Sequence, residues 1–179
     1  MAATARTRYD TVAMSLHWLI ALLIIFMVVF GGDLMNRRQP DTFNASVHAS
    51  IGAAILLLSL LRLLWRMTKP SPPLPATMRL WETTLSKTTH VIFYVMMIGL
   101  PISGWLAFSD TVVKHPGFAG TSFFGLLPVV QIPSAAGLPF DGMHSLGSNF
   151  MIALISLHVL AALKHQFIDK DNLLRRMVP

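Results

Sequence analysis

A chain of 179 residues that is 54% hydrophobic and only 12% charged has too little polar surface to cover a water-soluble core, which excludes an ordinary soluble domain. The absence of cysteine excludes disulfides, thiolate-held iron–sulfur clusters, cysteine-bound zinc and thioether-linked haem. A net charge of +6 reads as basic residues flanking membrane helices on one side, not as an affinity for nucleic acid.

Four apolar runs, near residues 12–30, 45–65, 88–108 and 142–163, are long enough to cross hydrocarbon. They predict an all-α integral membrane protein, an up-down four-helix bundle that forms one domain over 1–179. After a short basic arm, MAATARTRYD, the first run carries His17 near its start. It is longer than a signal-peptide apolar region and no A-x-A-type site follows it, so it is expected to stay as a helix. GGDLMNRRQPD, with Gly31, Gly32 and Pro40, breaks the chain before the second run. That run has His48 near its start, and Arg62 and Arg66 near its end, where they are expected to snorkel to the headgroups. KPSPPLPATM (69–78) is a stiff, extended connector.

LWETTLSK reads as an interfacial start to the third helix. His90 follows near the helix start, and Gly99, Pro101 and Gly104 predict a kink towards its far end. Residues 109–141 are rich in Gly and Pro yet apolar, as in FFGLLPVVQIP. Such a segment is expected to lie against the bundle mouth or the lipid interface as a lid. The fourth run, GMHSLGSNFMIALISLHVLAAL, carries His144 and His158, and HQFIDKDNLLRRMVP forms a basic tail.

Placing both termini and the connector on one side gathers eleven basic residues there: Arg6, Arg8, Arg62, Arg66, Lys69, Arg79, Lys87, Lys164, Lys170, Arg175 and Arg176. Only Arg37, Arg38 and Lys114 remain on the other side. This asymmetry puts both termini in the cytoplasm.

Histidine inside a membrane span is costly and marks a functional site by default, although a single one is as readily structural. Chain direction sorts these by depth. His48 and His144 fall near the outer face, and His17, His90 and His158 nearer the inner one. His144 and His158 are fourteen residues apart, about 21 Å of helix and within about 40° of one stripe. Each level therefore has at least two imidazoles from different helices, as an iron with two axial histidines requires. Ala21, Gly52 and Ala162 each come four residues after a histidine, and Gly147 three after His144, so small side chains leave room for a macrocycle.

The stretches SLHWLIA, VHASIG, TTHVIFY, MHSLGSNF and LHVLAALKHQFIDKDNLLRRM resemble the bacterial cytochrome b561 family over nearly the whole chain. The resemblance implies a multi-pass protein of the bacterial inner (cytoplasmic) membrane with two haem b groups. His17 and His158 would bind the inner haem, and His48 and His144 the outer one. The resemblance alone displaces His90 as an inner ligand and leaves it packing near an inner propionate. His115, in a loop before Pro116, is expected in solvent. His165 lies beyond His158 on nearly the same stripe, where a quinone head could enter. Arg8, Arg66, Lys69 and Lys87 are candidate propionate partners.

Two stacked haems make an electron conductor, and the chain shows no catalytic triad or phosphate loop. Some members of the family resemble a superoxide oxidase, which passes electrons from outer-face superoxide to ubiquinone. For such an anion Arg37, Arg38 and Lys114 are the candidate capture residues. They are set against Asp33, Asp41, Asp110 and Asp141 on the same side, so the cationic patch is local. The alternative is a cytochrome anchor that takes electrons from a dehydrogenase or hydrogenase subunit. A third reading is metal transport, which would favour acidic ligands inside the helices.

Overall fold

Helices form where the apolar runs predict them: α1 (Thr11–Leu34), α2 (Thr42–Thr68), α3 (Leu80–Lys114) and α4 (Phe140–Lys164). The computed structural model describes residues 8–69, 71–75, 78–132 and 139–178. Arm residues 1–7, which include Arg6, connector residues 70, 76 and 77, loop residues 133–138 and residue 179 fall outside them. Each helix is long and apolar enough to cross a membrane. The outward faces carry exposed Leu22, Leu61, Val95 and Leu160, a surface suited to lipid rather than water. The molecule is a four-helix membrane bundle.

At one end, two carboxylates each cap one helix and hold the end of its neighbour. Asp10 Oδ1 accepts from Ala13 N (3.0 Å) at the start of α1 and from Trp65 Nε1 (3.0 Å) at the end of α2. Glu82 Oε2 accepts from Arg79 N (3.0 Å) at the start of α3, while Oε1 accepts from Lys164 Nζ (2.8 Å) at the end of α4. A cap of this kind contributes about 1 kcal/mol. These contacts make each pair of neighbours antiparallel, so the connectivity is up-down. The C-terminal tail crosses the same end, where Met177 O accepts from Trp18 Nε1 (2.7 Å) and Arg176 donates to Pro73 O (2.6 Å).

Backbones pack closely between α1 and α2, α2 and α3, and α3 and α4. Among the described residues α4 has no comparably close packing with α1 or α2. A central apolar layer of Ile20, Ile24, Ile55, Met97 and Met151 bridges the helices. Met151 lies midway in sequence between His144 and His158, so this layer separates two histidine levels.

α3 runs unbroken through Pro101 and ends at Lys114, beyond the expected 108. The extension survives because Ser109, Thr111 and Val112 are buried beneath the segment that follows. There a 3-10 turn, Pro116–Phe118, leads into a hairpin of β1 (Ser122–Phe123) and β2 (Leu127–Pro128), with Ser122 opposite Pro128 and Phe123 opposite Leu127. Phe118 is wholly buried in a second cluster with Ala45, Phe108, Val112 and Val129. Emptying this site by Phe118→Ala is expected to cost about 3 kcal/mol. Amide exchange should then quicken across 119–130 while the central layer stays protected. Unchanged exchange at the hairpin would show that Phe118 does not hold it down.

Candidate functional site

The level expected nearer the outer face pairs His48 of α2 with His144 of α4, ring centroids 6.1 Å apart. His48 Nδ1–H donates to the Gly31 carbonyl of α1 (3.2 Å), and His144 Nδ1–H to the Leu100 carbonyl of α3 (2.9 Å). A carbonyl only accepts, so the proton sits on Nδ1 and the Nε2 lone pair is left for a metal. Ser103 Oγ, 3.3 Å from His144 Nδ1, also donates to Leu100 O (2.8 Å).

Gly104 matters here for lacking a side chain, since a Cβ would lie 2.8 Å from His144 Cε1. Sequence pattern marks this glycine only as a helix breaker. Gly52, by contrast, faces open space, as expected for room beside His48. Gly147 departs from expectation: a Cβ there would meet Leu100 Cδ1 at 2.8 Å, so its smallness admits α3 rather than a macrocycle.

At the level expected nearer the inner face His158 of α4 has two imidazole neighbours. His17 of α1 lies at 6.4 Å and His90 of α3 at 6.2 Å between centroids. Distance does not choose between them. Phe93 and Trp18 pack edge-on against His158 and His17, each at 5.2 Å. His90 Nδ1–H donates to Ser86 O (2.7 Å) one turn back on its own helix.

Arg62 does not snorkel away as expected. It is half-buried and close enough to His17, His90 and His158 for its charge to act on all three. Its spacing of fourteen from His48 puts both on one interior stripe, a signal that was available in the sequence. Of the other basic residues considered for propionates, Arg66 is half-buried and acts on His90, while Arg8, Lys69 and Lys87 are exposed.

These distances test whether a haem fits. An imidazole nitrogen binds a transition metal at about 2 Å. With the ring centroid about 1 Å behind that nitrogen, two rings on opposite sides of one iron have centroids roughly 6 Å apart. The outer pair and both inner combinations meet that separation. Among the described residues α4 also makes fewer close backbone approaches to α1 and α2 than to α3.

Around the two levels, Arg37 pairs with Asp141, three residues before His144. Arg38 and Lys114 are exposed, with no side-chain partner among the described residues. His115, expected in solvent, is half-buried against Phe118 at 6.2 Å, because the 3-10 turn folds Phe118 back beneath it. His165 opens a π-helical turn, His165–Asp169. Its Nδ1 meets Asp171 Oδ2 at 2.7 Å and Asp169 Oδ2 at 3.1 Å.

A family model described as prokaryotic cytochrome b561 matches residues 8–179. The chain is 30% identical to "Probable superoxide oxidase CybB" of Yersinia pestis, covering 96% of each protein. It is 29% identical to "Cytochrome b561 homolog 2" of Escherichia coli, over 96% of this chain and 91% of that one. It is also 25% identical to "Cytochrome b562" of Cereibacter sphaeroides, over 98% of both. With two histidine levels inside a four-helix membrane bundle, this chain belongs to the prokaryotic cytochrome b561 family of haem b membrane electron carriers.

Proposed function

We propose that this protein is a dihaem cytochrome of the bacterial inner membrane, both termini cytoplasmic, that oxidises superoxide at the outer face and reduces ubiquinone at the inner face. The observation that carries the reading is the pair of imidazole levels along α4, each spaced to grip one iron. His48 and His144 are assigned to the outer haem, with Nδ1 protons held by carbonyls of α1 and α3. His17 and His158 are assigned to the inner one. His90 is set aside for a physical reason: it lies on α3, against which α4 packs closely, so a macrocycle has more room between α4 and α1.

Haem b supplies one-electron redox chemistry when bound. The chain orients the His48 and His144 rings through the Gly31 and Leu100 carbonyls and excludes water with the apolar layer between the levels. Arg62 supplies positive charge for the inner propionates. In the overall reaction two superoxide anions become two dioxygen molecules, and the two electrons with two protons convert ubiquinone to ubiquinol. At the inner end His165 has its Nδ1 engaged by Asp171, so Nε2 is the nitrogen proposed to meet a quinone carbonyl. At the outer end Arg38 and Lys114, without a side-chain partner among the described residues, are the cations proposed for anion capture, whereas Arg37 is engaged by Asp141.

Haem quantitation of His144→Ala should give close to one haem per chain with the inner centre retained, and His158→Ala one haem with the outer retained. A content near two in both variants would refute the assignment. Arg62→Gln removes a cation that favours the reduced, more negative state. The inner midpoint potential should therefore fall by about 50 mV, close to one tenfold step in a one-electron equilibrium, while the outer one holds. Redox titration of the two α-bands reads this directly.

The function itself is tested by mixing purified oxidised protein with superoxide and a soluble ubiquinone analogue. Rapid haem reduction, abolished by superoxide dismutase and followed by quinol formation, is expected. Neutralising Arg38 and Lys114 together should slow reduction several-fold at low ionic strength and little at high salt. Haem that superoxide leaves oxidised would sink the donor assignment, and co-purification with a soluble dehydrogenase subunit would favour the anchor reading.

A further inference from the structure

We propose that the β1–β2 hairpin is a membrane anchor whose tip, residues 124–127, is embedded among lipid acyl chains of the leaflet on the His48–His144 side. Two independent sets of contacts give its direction. On the way in, Ser122 N donates to Ser46 Oγ (3.0 Å) and Phe124 N to Ser50 Oγ (2.7 Å). α2 runs away from this end of the bundle, so Ser50 lies one turn, about 6 Å, deeper than Ser46. On the way out, Val130 O accepts from Trp105 Nε1 (2.9 Å) and Ile132 O from Ser109 Oγ (2.6 Å). α3 runs towards this end, so Trp105 lies one turn deeper than Ser109. Both strands descend along the bundle, and the turn at Phe124 (φ 54°) and Gly125 (φ 69°) is the deepest point.

Depth can be scaled against the other end of α2. Ser50 is sixteen residues from Arg66, about 24 Å of helix, while the hydrocarbon is about 30 Å thick. With Arg66 at the opposite interface, Phe124 falls just inside the near edge of the hydrocarbon. The side chains suit that depth: Phe124, Leu126 and Leu127 are 58%, 82% and 67% exposed. Irregular backbone survives there only if its polar groups are satisfied within the protein. Ser46 and Ser50 do this for two amides while their own hydroxyls donate to Thr42 O (2.7 Å) and Ser46 O (2.6 Å). Both serines lie about half a helical turn from His48, so the hairpin rides the outside of the bundle and faces lipid rather than the histidine pair.

The chain has no cysteine, so single-cysteine labelling is clean. Leu126→Cys and Leu127→Cys, each carrying an environment-sensitive fluorophore, are placed in nanodiscs of phosphatidylcholine, with exposed Ala119→Cys as the reference. At Leu126 and Leu127, acyl-chain bromolipid should quench emission roughly twofold or more and aqueous iodide should have little effect, the reverse of Ala119. Iodide quenching at the tip equal to that at Ala119 would overturn the proposal in favour of an aqueous lid. Protection from both quenchers would overturn it in favour of a cover made by a second copy or another protein.

Discussion

The separation of α4 from α1 and α2 is the constraint on which the rest of this molecule depends. Lipid offers helices little hydrophobic reason to associate, so membrane bundles close by backbone approach and tight packing. Here the close approaches run from α1 to α2, α2 to α3 and α3 to α4, with none as close from α4 to α1 or α2 among the described residues. Ile20, Ile24, Ile55, Met97 and Met151 fill the middle of the gap. Above and below that layer stand imidazoles with centroids about 6 Å apart, the spacing one metal between two rings requires. The same layer that completes the core therefore keeps the two levels distinct.

A helix that packs closely on only one neighbour must be held at its ends. α4 is tied to α3 by Lys164 and Glu82, and the tail beyond it reaches α1 through Met177 and Trp18. At the other end Asp141 takes Arg37 from the loop between α1 and α2. Exposed ion pairs of this type contribute roughly 0–1 kcal/mol each, so their main effect is to set the spacing of α4. Close contacts from α3 then set the aim of its histidine: Leu100 O takes the Nδ1 proton, and the bare Cα of Gly104 makes room for the ring.

Helix number, depth order and the histidine levels were legible in the sequence because hydrocarbon thickness and helical pitch act on every residue of a span. Arg62 was legible too, through its spacing from His48, but basic residues near span ends are commonly topology signals and it was read as one. The hairpin was not legible. Its strands are two residues long, too short to show alternation, and its amides are satisfied by Ser46 and Ser50 more than seventy positions away. The role of Gly104 was hidden for the same reason, because its partner His144 lies on another helix. Arg37 looked like a free cation until Asp141 was brought beside it by the fold.

On the proposed ligand assignment, both haem levels take one histidine from α4, which is synthesised after α1, α2 and α3. The growing chain thus exposes His17 and His48 as half-sites while it enters the bilayer, and neither can be completed until the fourth span has inserted. Cofactor capture is in this way deferred until all four spans lie in the bilayer. A free porphyrin would then meet a finished pair of ligands rather than a lone imidazole on an immature chain.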